Sequence, residues 1–170
     1  MTIEAWAKVN SFGGGNTYIY SYGDTDYCTG GGDIFSIGFT SAGKAYFAGG
    51  CDDITGNATL STNQWYHLAA TYDGTTVKMY INGVLDNSAA KTLNTTVIAS
   101  YIGGLVNASS KFNGTIDEVK VSNRAFSPDE IAETYRMGAN HHLTRQVSAV
   151  DLSAQTKLPF WIAADRTGTF

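Results

Sequence analysis

Residues 64–84, QWYHLAATYDGTTVKMYINGV, decide how this chain folds. The first half alternates with a period of two, which is the period of a β-strand. One predicted face carries Tyr66, Leu68, Ala70 and Tyr72, and the other carries Trp65, His67, Ala69 and Thr71. Asp73-Gly74 predicts a turn, and Asn82-Gly83 predicts a type I′ turn, because that turn needs positive φ angles. The stretch therefore predicts a meander of at least three strands.

The rest of the chain continues the strand pattern. Alternation predicts strands at residues 2–9, 17–22, 33–40, 45–48, 97–102 and 115–122, whereas residues 51–63 and 84–94 are predicted to be irregular. Ser127-Pro128-Asp129-Glu130 predicts one short helix near residues 128–136, with a capping box at its start and Gly138 as its C-cap. The fold class is therefore all-β with one short helix.

Composition limits the possible partners. The chain has 170 residues, enough for one well-cored domain, and a net charge of −4 with 11 scattered Lys and Arg residues. Phosphate backbones require clustered positive charge, so we expect no nucleic-acid partner. No apolar run reaches the length of a bilayer-spanning helix, and the start of the chain has no signal-peptide pattern, so we expect no membrane insertion.

The two cysteines, Cys28 and Cys51, lie in Gly/Asp-rich segments that flank a predicted strand pair. Such positions favour a disulfide over two buried thiols, which usually occupy apolar strand centres. No CxxC or HxxxH spacing accompanies them, which disfavours a metal site. A disulfide here would indicate an oxidising, extracellular setting.

Five pieces of the sequence resemble the LamG-like jellyroll domains of the concanavalin A-like lectin and glucanase superfamily. They are TIEAWAKV at 2–9, WYHLAATYD at 65–73, VKMYINGV at 77–84, YIGG at 101–104 and FNGTIDEVKVSNRAFSPDEIAETYRMG at 112–138. The resemblance implies a two-sheet antiparallel jellyroll sandwich over residues 1–139, with recognition at the loop rims or on the concave face. The cysteines that flank the third and fourth predicted strands are also similar to those of some large, repetitive microbial surface proteins that carry this domain.

The resemblance also exposes a difference. The family usually begins one strand earlier, so this domain lacks the usual first strand and is expected to leave an unpaired edge. Residues 140–170 are expected to be an extended tail, either a linker or a donor strand. In the second case Leu158, Phe160, Trp161 and Ile162 would pair with an edge of this chain or another copy, and head-to-tail pairing would build a filament.

Enzymatic activity is not expected. Glycosidases of this fold need paired carboxylates at a fixed separation, and no ExDxxE-type cluster occurs. Asp117 and Glu118 are adjacent, so on a regular strand they face opposite sides. His67 is expected to be a packed structural residue, and His141 and His142 to be exposed linker residues. A degenerate glycoside hydrolase is the alternative from the enzyme class.

Calcium is the expected cofactor, if any. The resemblance implies that Asp117 helps to hold a structural ion, although the usual partners come partly from the missing first strand. Asp24, Asp26, Asp52 and Asp53 are alternative oxygen ligands, or simply solvated loop carboxylates.

A glycan site would require an aromatic platform, for which Tyr18, Tyr20 and Tyr22 are the candidates; the alternative is that these rings pack within the sheet. Sequons at Asn57, Asn94, Asn107 and Asn113 are possible glycosylation sites.

These features together predict a non-catalytic extracellular module of a microbial surface protein, acting in binding, adhesion or structure. The alternatives are a filament subunit joined by strand donation and a lectin-like carbohydrate-binding domain. The expected partners are a glycan, a surface protein or other copies of the chain.

Overall fold

The computed structural model describes residues 1–23, 34–95, 99–105 and 110–143. Within these ranges, ten antiparallel strands precede one helix. The strands are β1 Thr2–Val9, β2 Thr17–Gly23, β3 Ile34–Phe39, β4 Lys44–Ala48, β5 Ile54–Thr59, β6 Trp65–Tyr72, β7 Thr76–Ile81, β8 Val84–Ala90, β9 Ala99–Ile102 and β10 Gly114–Ser122, and the helix is α1 Pro128–Leu143. The first sheet has the order β10-β1-β6-β7-β8 and the second β5-β4-β3-β2-β9. The predicted two-sheet sandwich is confirmed.

The core lies between the two sheets and is built as the alternation predicts. Leu68 and Ala70 of β6 point inward with Ile3 and Ala5 of β1, opposite the aromatic rings of the second sheet. Those rings are Phe35, Phe39 and Phe47, each no more than 1% exposed. The predicted turn after β7 is also confirmed, with φ of 51° at Asn82 and 78° at Gly83.

Part of the outer face of the first sheet is buried as well, because α1 packs on it. Ile131 of α1 joins Ala69 and Tyr80 in a separate apolar cluster. The capping box is formed: Glu130 N donates to Ser127 Oγ (3.2 Å), and Ser127 N donates to Glu130 Oε2 (2.8 Å). The outward-pointing residues of β1 and β6 are therefore core residues of a second layer.

The prediction that the helix ends at Gly138 is wrong. Gly138 lies inside α1, where a Cβ would come within 2.2 Å of Trp6 Nε1, so glycine is needed for close packing rather than as a cap. Because α1 continues to Leu143, His142 is 3% exposed and stacks on the Trp6 ring at 4.5 Å. The expectation that His142 is an exposed linker residue is therefore also wrong. His67 is 2% exposed, as expected of a packed histidine.

Two segments predicted to be irregular are strands. β5 and β8 are polar and stand at adjacent edges of the two sheets, so their side chains lack the apolar alternation of central strands. Asp86 connects β8 to β5, because its carboxylate accepts hydrogen bonds from the backbone N–H of Asn57 (2.9 Å) and Ala58 (3.0 Å). The sandwich is thus closed along this side by polar contacts.

Two surface carboxylates make the stability pH-dependent. Backbone and hydroxyl hydrogen bonds from Thr75 and Thr76 lower the pKa of Asp73 from 3.8 to about 2. The guanidinium of Arg124, followed by the backbone N–H of Ser127, lowers the pKa of Glu130 from 4.5 to about 2. A depressed folded-state pKa stabilises the fold above the unfolded-state pKa, and that contribution is lost as the pH falls through the folded-state value.

We therefore expect the melting temperature to fall between about pH 4.5 and pH 2, in part through these two groups. The double variant Asp73→Asn, Glu130→Gln should have a lower melting temperature than wild type at pH 7. Its melting temperature should also fall less on acidification. Thermal melts followed by circular dichroism across this range test the prediction. Parallel pH profiles for the two proteins would contradict it.

Among the residues that the structure describes, no helix is long and apolar enough to cross a membrane.

Candidate functional site

One end of the sandwich gathers loops from both sheets. The registers place the segment between β4 and β5, the β6–β7 turn and the residues after β8 at this end. They surround a groove of about 320 Å³, the Asp52–Lys91 groove, lined by Asp52, Gly74, Thr75, Ala90, Lys91 and Thr92. Loops on a rigid sandwich are a common location for binding residues. We therefore take this groove as the candidate site.

An ion pair spans the groove between the two sheets. Lys91 Nζ donates to Asp52 Oδ1 at 2.6 Å, and the side chains are 12% and 35% exposed. The short distance is typical of a charge-assisted hydrogen bond. Because the two charges compensate each other, the groove presents hydrogen-bonding groups without a strong net charge.

The β6–β7 turn forms one wall of the groove, and hydrogen bonds within and next to the turn fix its shape. The Asp73 carboxylate accepts from the backbone N–H of Thr75 and of Thr76, at 2.9 and 2.8 Å, which fixes the β6–β7 turn. Tyr72 Oη lies 2.8 Å from Gly74 O and 3.2 Å from Lys91 O, so its hydroxyl links the turn to the segment after β8. This bracing keeps Thr75 and Lys91 in fixed relative positions.

Chemically, the groove offers both hydrogen-bond donors and acceptors. Asp52 supplies carboxylate oxygens, Lys91 an ammonium group, and Thr75 and Thr92 hydroxyl groups. Sugar hydroxyls both donate and accept, so this set suits a hydroxyl-rich ligand. Sequence reasoning named Asp52 only as a calcium ligand and missed Lys91, whose partner is 39 residues away in the chain.

The three candidate tyrosines do not form one exposed platform. A register shift between Tyr18 and Tyr20 interrupts the alternation of β2, so Tyr18 lies outside the main core while Tyr20 and Tyr22 point into it. Tyr18 is 3% exposed and Tyr20 is 7% exposed. Packing, the alternative interpretation, describes these rings better than a shared sugar platform does.

Tyr18 instead meets Tyr46 on the outer face of the second sheet, with ring centroids 6.1 Å apart. The Tyr46 hydroxyl donates to Asp53 Oδ2, and Gly49 N donates to Asp53 Oδ1 at 2.9 Å. Asp53 is exposed, and its carboxylate also links Tyr46 to the β4–β5 loop.

The calcium site that the resemblance implies stays a prediction. Asp117 lies beside a bulge of β10, where Glu118 has a φ of 49°, and its Oδ1 accepts from Glu118 N at 2.8 Å. No group of three or more His, Cys, Asp or Glu side chains in the described ranges could hold a metal ion. Asp24 and Asp26 lie outside those ranges, and we assign no role to calcium here.

Several other predicted residues also lie outside the described ranges. Cys28 lies outside these ranges, so its disulfide to Cys51 stays a prediction. Cys51 lies at the same end of the sandwich as the groove. Leu158, Phe160, Trp161, Ile162 and Asn107 are the others. Strand donation by the tail therefore also stays a prediction.

Three sequon asparagines are exposed on the described surface. Asn57 Nδ2 donates to the backbone oxygen of Asp86 at 2.5 Å, and Asn113 Nδ2 donates to Ser11 Oγ at 2.9 Å. Both amides thus take part in the fold, whereas no such bond from Asn94 is seen among the described residues. Glycosylation of all four sites stays a prediction.

The chain matches a family model described as the concanavalin A-like lectin/glucanases superfamily over residues 1–132. A comparison with curated proteins gives no match. Among solved structures it is similar to the CBM40 of the Ruminococcus gnavus IT-sialidase bound to α2,3-sialyllactose. That likeness has a TM-score of 0.65 and 18% identity, and covers 79% of this chain and 81% of that one.

Two further structures share the fold. Domain 4 of an extracellular GH43 arabinanase from Geobacillus stearothermophilus, in complex with arabinotriose, has a TM-score of 0.59 and 23% identity over 78% of this chain and 64% of that one. A candidate carbohydrate binding protein from Bacteroides ovatus has a TM-score of 0.62 and 24% identity over 78% of this chain. The match spans 39% of that protein's length.

Proposed function

We propose that this chain, which belongs to the concanavalin A-like lectin/glucanase superfamily, is a non-catalytic carbohydrate-binding module. In this proposal it holds an oligosaccharide in the Asp52–Lys91 groove. The observation that carries the proposal is the groove itself. It is a rim cleft of about 320 Å³ in which a carboxylate, an ammonium and two hydroxyl side chains converge. The sialyllactose-bound and arabinotriose-bound neighbours support this choice over a purely structural role.

Each polar side chain of the groove makes a different contact with the bound sugar in this proposal. Asp52 accepts hydrogen bonds from sugar hydroxyls, and Lys91 donates to a hydroxyl or ring oxygen. Thr75 and Thr92 extend the contacts along the groove. The hydrogen bonds of Asp73 and Tyr72 hold these groups in place before the ligand arrives, which reduces the entropy lost on binding.

The absence of catalysis is part of the proposal. The enzyme-class alternative, a degenerate glycoside hydrolase, requires an acid and a second carboxylate on either side of one glycosidic bond. In the groove as described, Asp52 is the one carboxylate in the lining, and it is paired with Lys91. Prolonged incubation with bound oligosaccharides should release no new reducing ends.

The cellular setting follows from the same proposal. Carbohydrate-binding modules act on glycans outside the cell, so we place this domain in an extracellular or cell-surface protein. An adhesive role would then follow from glycan binding. Self-assembly into filaments through residues 158–164 is a separate proposal, and electron microscopy of the full chain beside a chain ending at Leu143 tests it.

We expect the substitution Asp52→Asn to weaken glycan binding about ten- to a hundredfold, since hydrogen bonds to a charged group contribute about 1.5–3 kcal/mol. Lys91→Met should have a similar effect. A glycan array that includes sialyllactose and arabinotriose selects the ligand, and calorimetry measures its affinity.

The matched control is Asp129→Asn, the same change at an exposed position of α1. It should bind like wild type. An array without any bound glycan, or equal affinities for wild type and both groove variants, would overturn the proposal.

A further inference from the structure

A second candidate site lies on the outer face of the first sheet, in the layer between that sheet and α1. The carboxylate of Glu4 points into this layer and is 1% exposed. Glu4 Oε2 accepts from the Thr134 hydroxyl at 2.8 Å, whereas Oε1 has no hydrogen-bond partner in the described part of the chain. Burying a carboxylate oxygen without a hydrogen bond costs free energy of folding. The groups around Glu4 Oε1 therefore need to be described.

Glu4 is one of the residues that line a cavity of about 220 Å³, which we call the Glu4 cavity. Thr2 and Thr134 also line it, Val121 and Lys120 come from the edge strand β10, and Phe126 precedes α1. A water molecule occupies about 30 Å³ of liquid, so the cavity exceeds the space of a single water. The surface that lines the cavity is almost entirely apolar, although Glu4, Lys120 and three hydroxyl-bearing residues contribute to it, and Val121 is 49% exposed at the edge.

Basic side chains lie close to both carboxylates of this layer. Lys120 Nζ lies 3.6 Å from Glu4 Oε1 and 3.7 Å from Glu118 Oε2. His67 Nε2 lies 3.6 Å from Glu4 Oε2, and His142 Nε2 lies 3.4 Å from Glu118 Oε1. Burial favours the neutral acid, yet His67, Thr134 and Lys120 together lower the pKa of Glu4, so the carboxyl group is ionised at neutral pH.

We propose that the Glu4 cavity binds a small primary alkylammonium ion, with its ammonium on Glu4 Oε1 and its alkyl chain against Val121 and Phe126. The ammonium supplies the hydrogen bond that Glu4 Oε1 lacks, beside the Lys120 ammonium that lies 3.6 Å from the same oxygen. The alkyl chain fills the apolar remainder of the cavity. This site is separate from the Asp52–Lys91 groove, so the two proposals succeed or fail independently.

The test is an NMR titration of the full chain with n-butylammonium chloride, followed through the backbone amides. We expect saturable shifts at residues 120–122, 126 and 134, with a Kd of about 1 mM and no shifts at the rim. Equimolar sodium chloride controls for ionic strength. n-Butanol, which has the same alkyl chain without the charge, should bind at least tenfold more weakly.

Two variants separate the cavity from general effects. Glu4→Gln keeps the shape and removes the charge, so it should weaken binding at least tenfold, whereas the matched change Glu133→Gln at an exposed position of α1 should leave the Kd unchanged. If Glu4→Gln does not fold, Val121→Trp keeps the carboxylate and narrows the mouth, and it should abolish the saturable shifts. The proposal is overturned by shifts that do not saturate, by equal binding of butanol, or by wild-type binding in the folded cavity variants.

Discussion

We expect Gly38→Ala to destabilise the sandwich by about 3 kcal/mol, the upper end of the usual cost of overpacking. A Cβ on Gly38 would lie 1.9 Å from the backbone oxygen of Thr17 and 2.9 Å from Tyr18 Cα. Both atoms belong to β2, which pairs with β3 in the middle of the second sheet. Because the clash is with backbone, no side-chain rotation relieves it, and the strand pair must separate. Urea denaturation measures the loss.

The matched control is Gly14→Ala, where an added Cβ meets nothing within 4 Å. It should change the free energy of unfolding by less than about 0.5 kcal/mol, as surface substitutions usually do. Equal stabilities of the two variants would show that β2 and β3 are not as close as described.

Trp6→Ala should cost about 3–5 kcal/mol, the usual range for removing a buried large aromatic side chain. Trp6 is 1% exposed and stacks on Tyr135 (5.7 Å) and His142 (4.5 Å) of α1. Its loss removes the surface on which the second half of α1 packs. Amide exchange should therefore increase first in residues 135–143, with the core strands following only on global unfolding.

Tyr101→Ala is the corresponding change at an exposed position, since Tyr101 is 38% exposed on the edge strand β9. We expect it to cost less than about 1 kcal/mol. If Trp6→Ala costs no more than Tyr101→Ala, or leaves exchange in α1 unchanged, then α1 is not held by Trp6.

Alternation in the sequence was sufficient to find the central strands and the faces they bury. It located β1 and β6 to the residue because both strands place an apolar or aromatic residue toward the core at every second position. It failed at β5 and β8, because edge strands bury too few side chains to show a period. Local signals also misplaced the end of α1: Gly138 has the residue type of a C-cap, but its role is set by Trp6, 132 positions earlier.

The candidate site was harder to predict for the same reason. Tyrosines at alternate positions of β2 suggest a shared face, but the register shift between Tyr18 and Tyr20 depends on the pairing with β3. The ion pair of Asp52 with Lys91 connects two sheets across 39 residues. Neither residue stands in a motif, so their meeting is a consequence of the sandwich rather than of any local pattern.

An NMR titration of the full chain, with the oligosaccharide that the array selects, decides whether the Asp52–Lys91 groove binds glycan. We expect saturable amide shifts clustered at residues 52, 74, 75, 91 and 92, and their disappearance in Asp52→Asn at the same ligand concentration. Shifts confined to another surface, or an unchanged response of the variant, would contradict glycan binding in the Asp52–Lys91 groove.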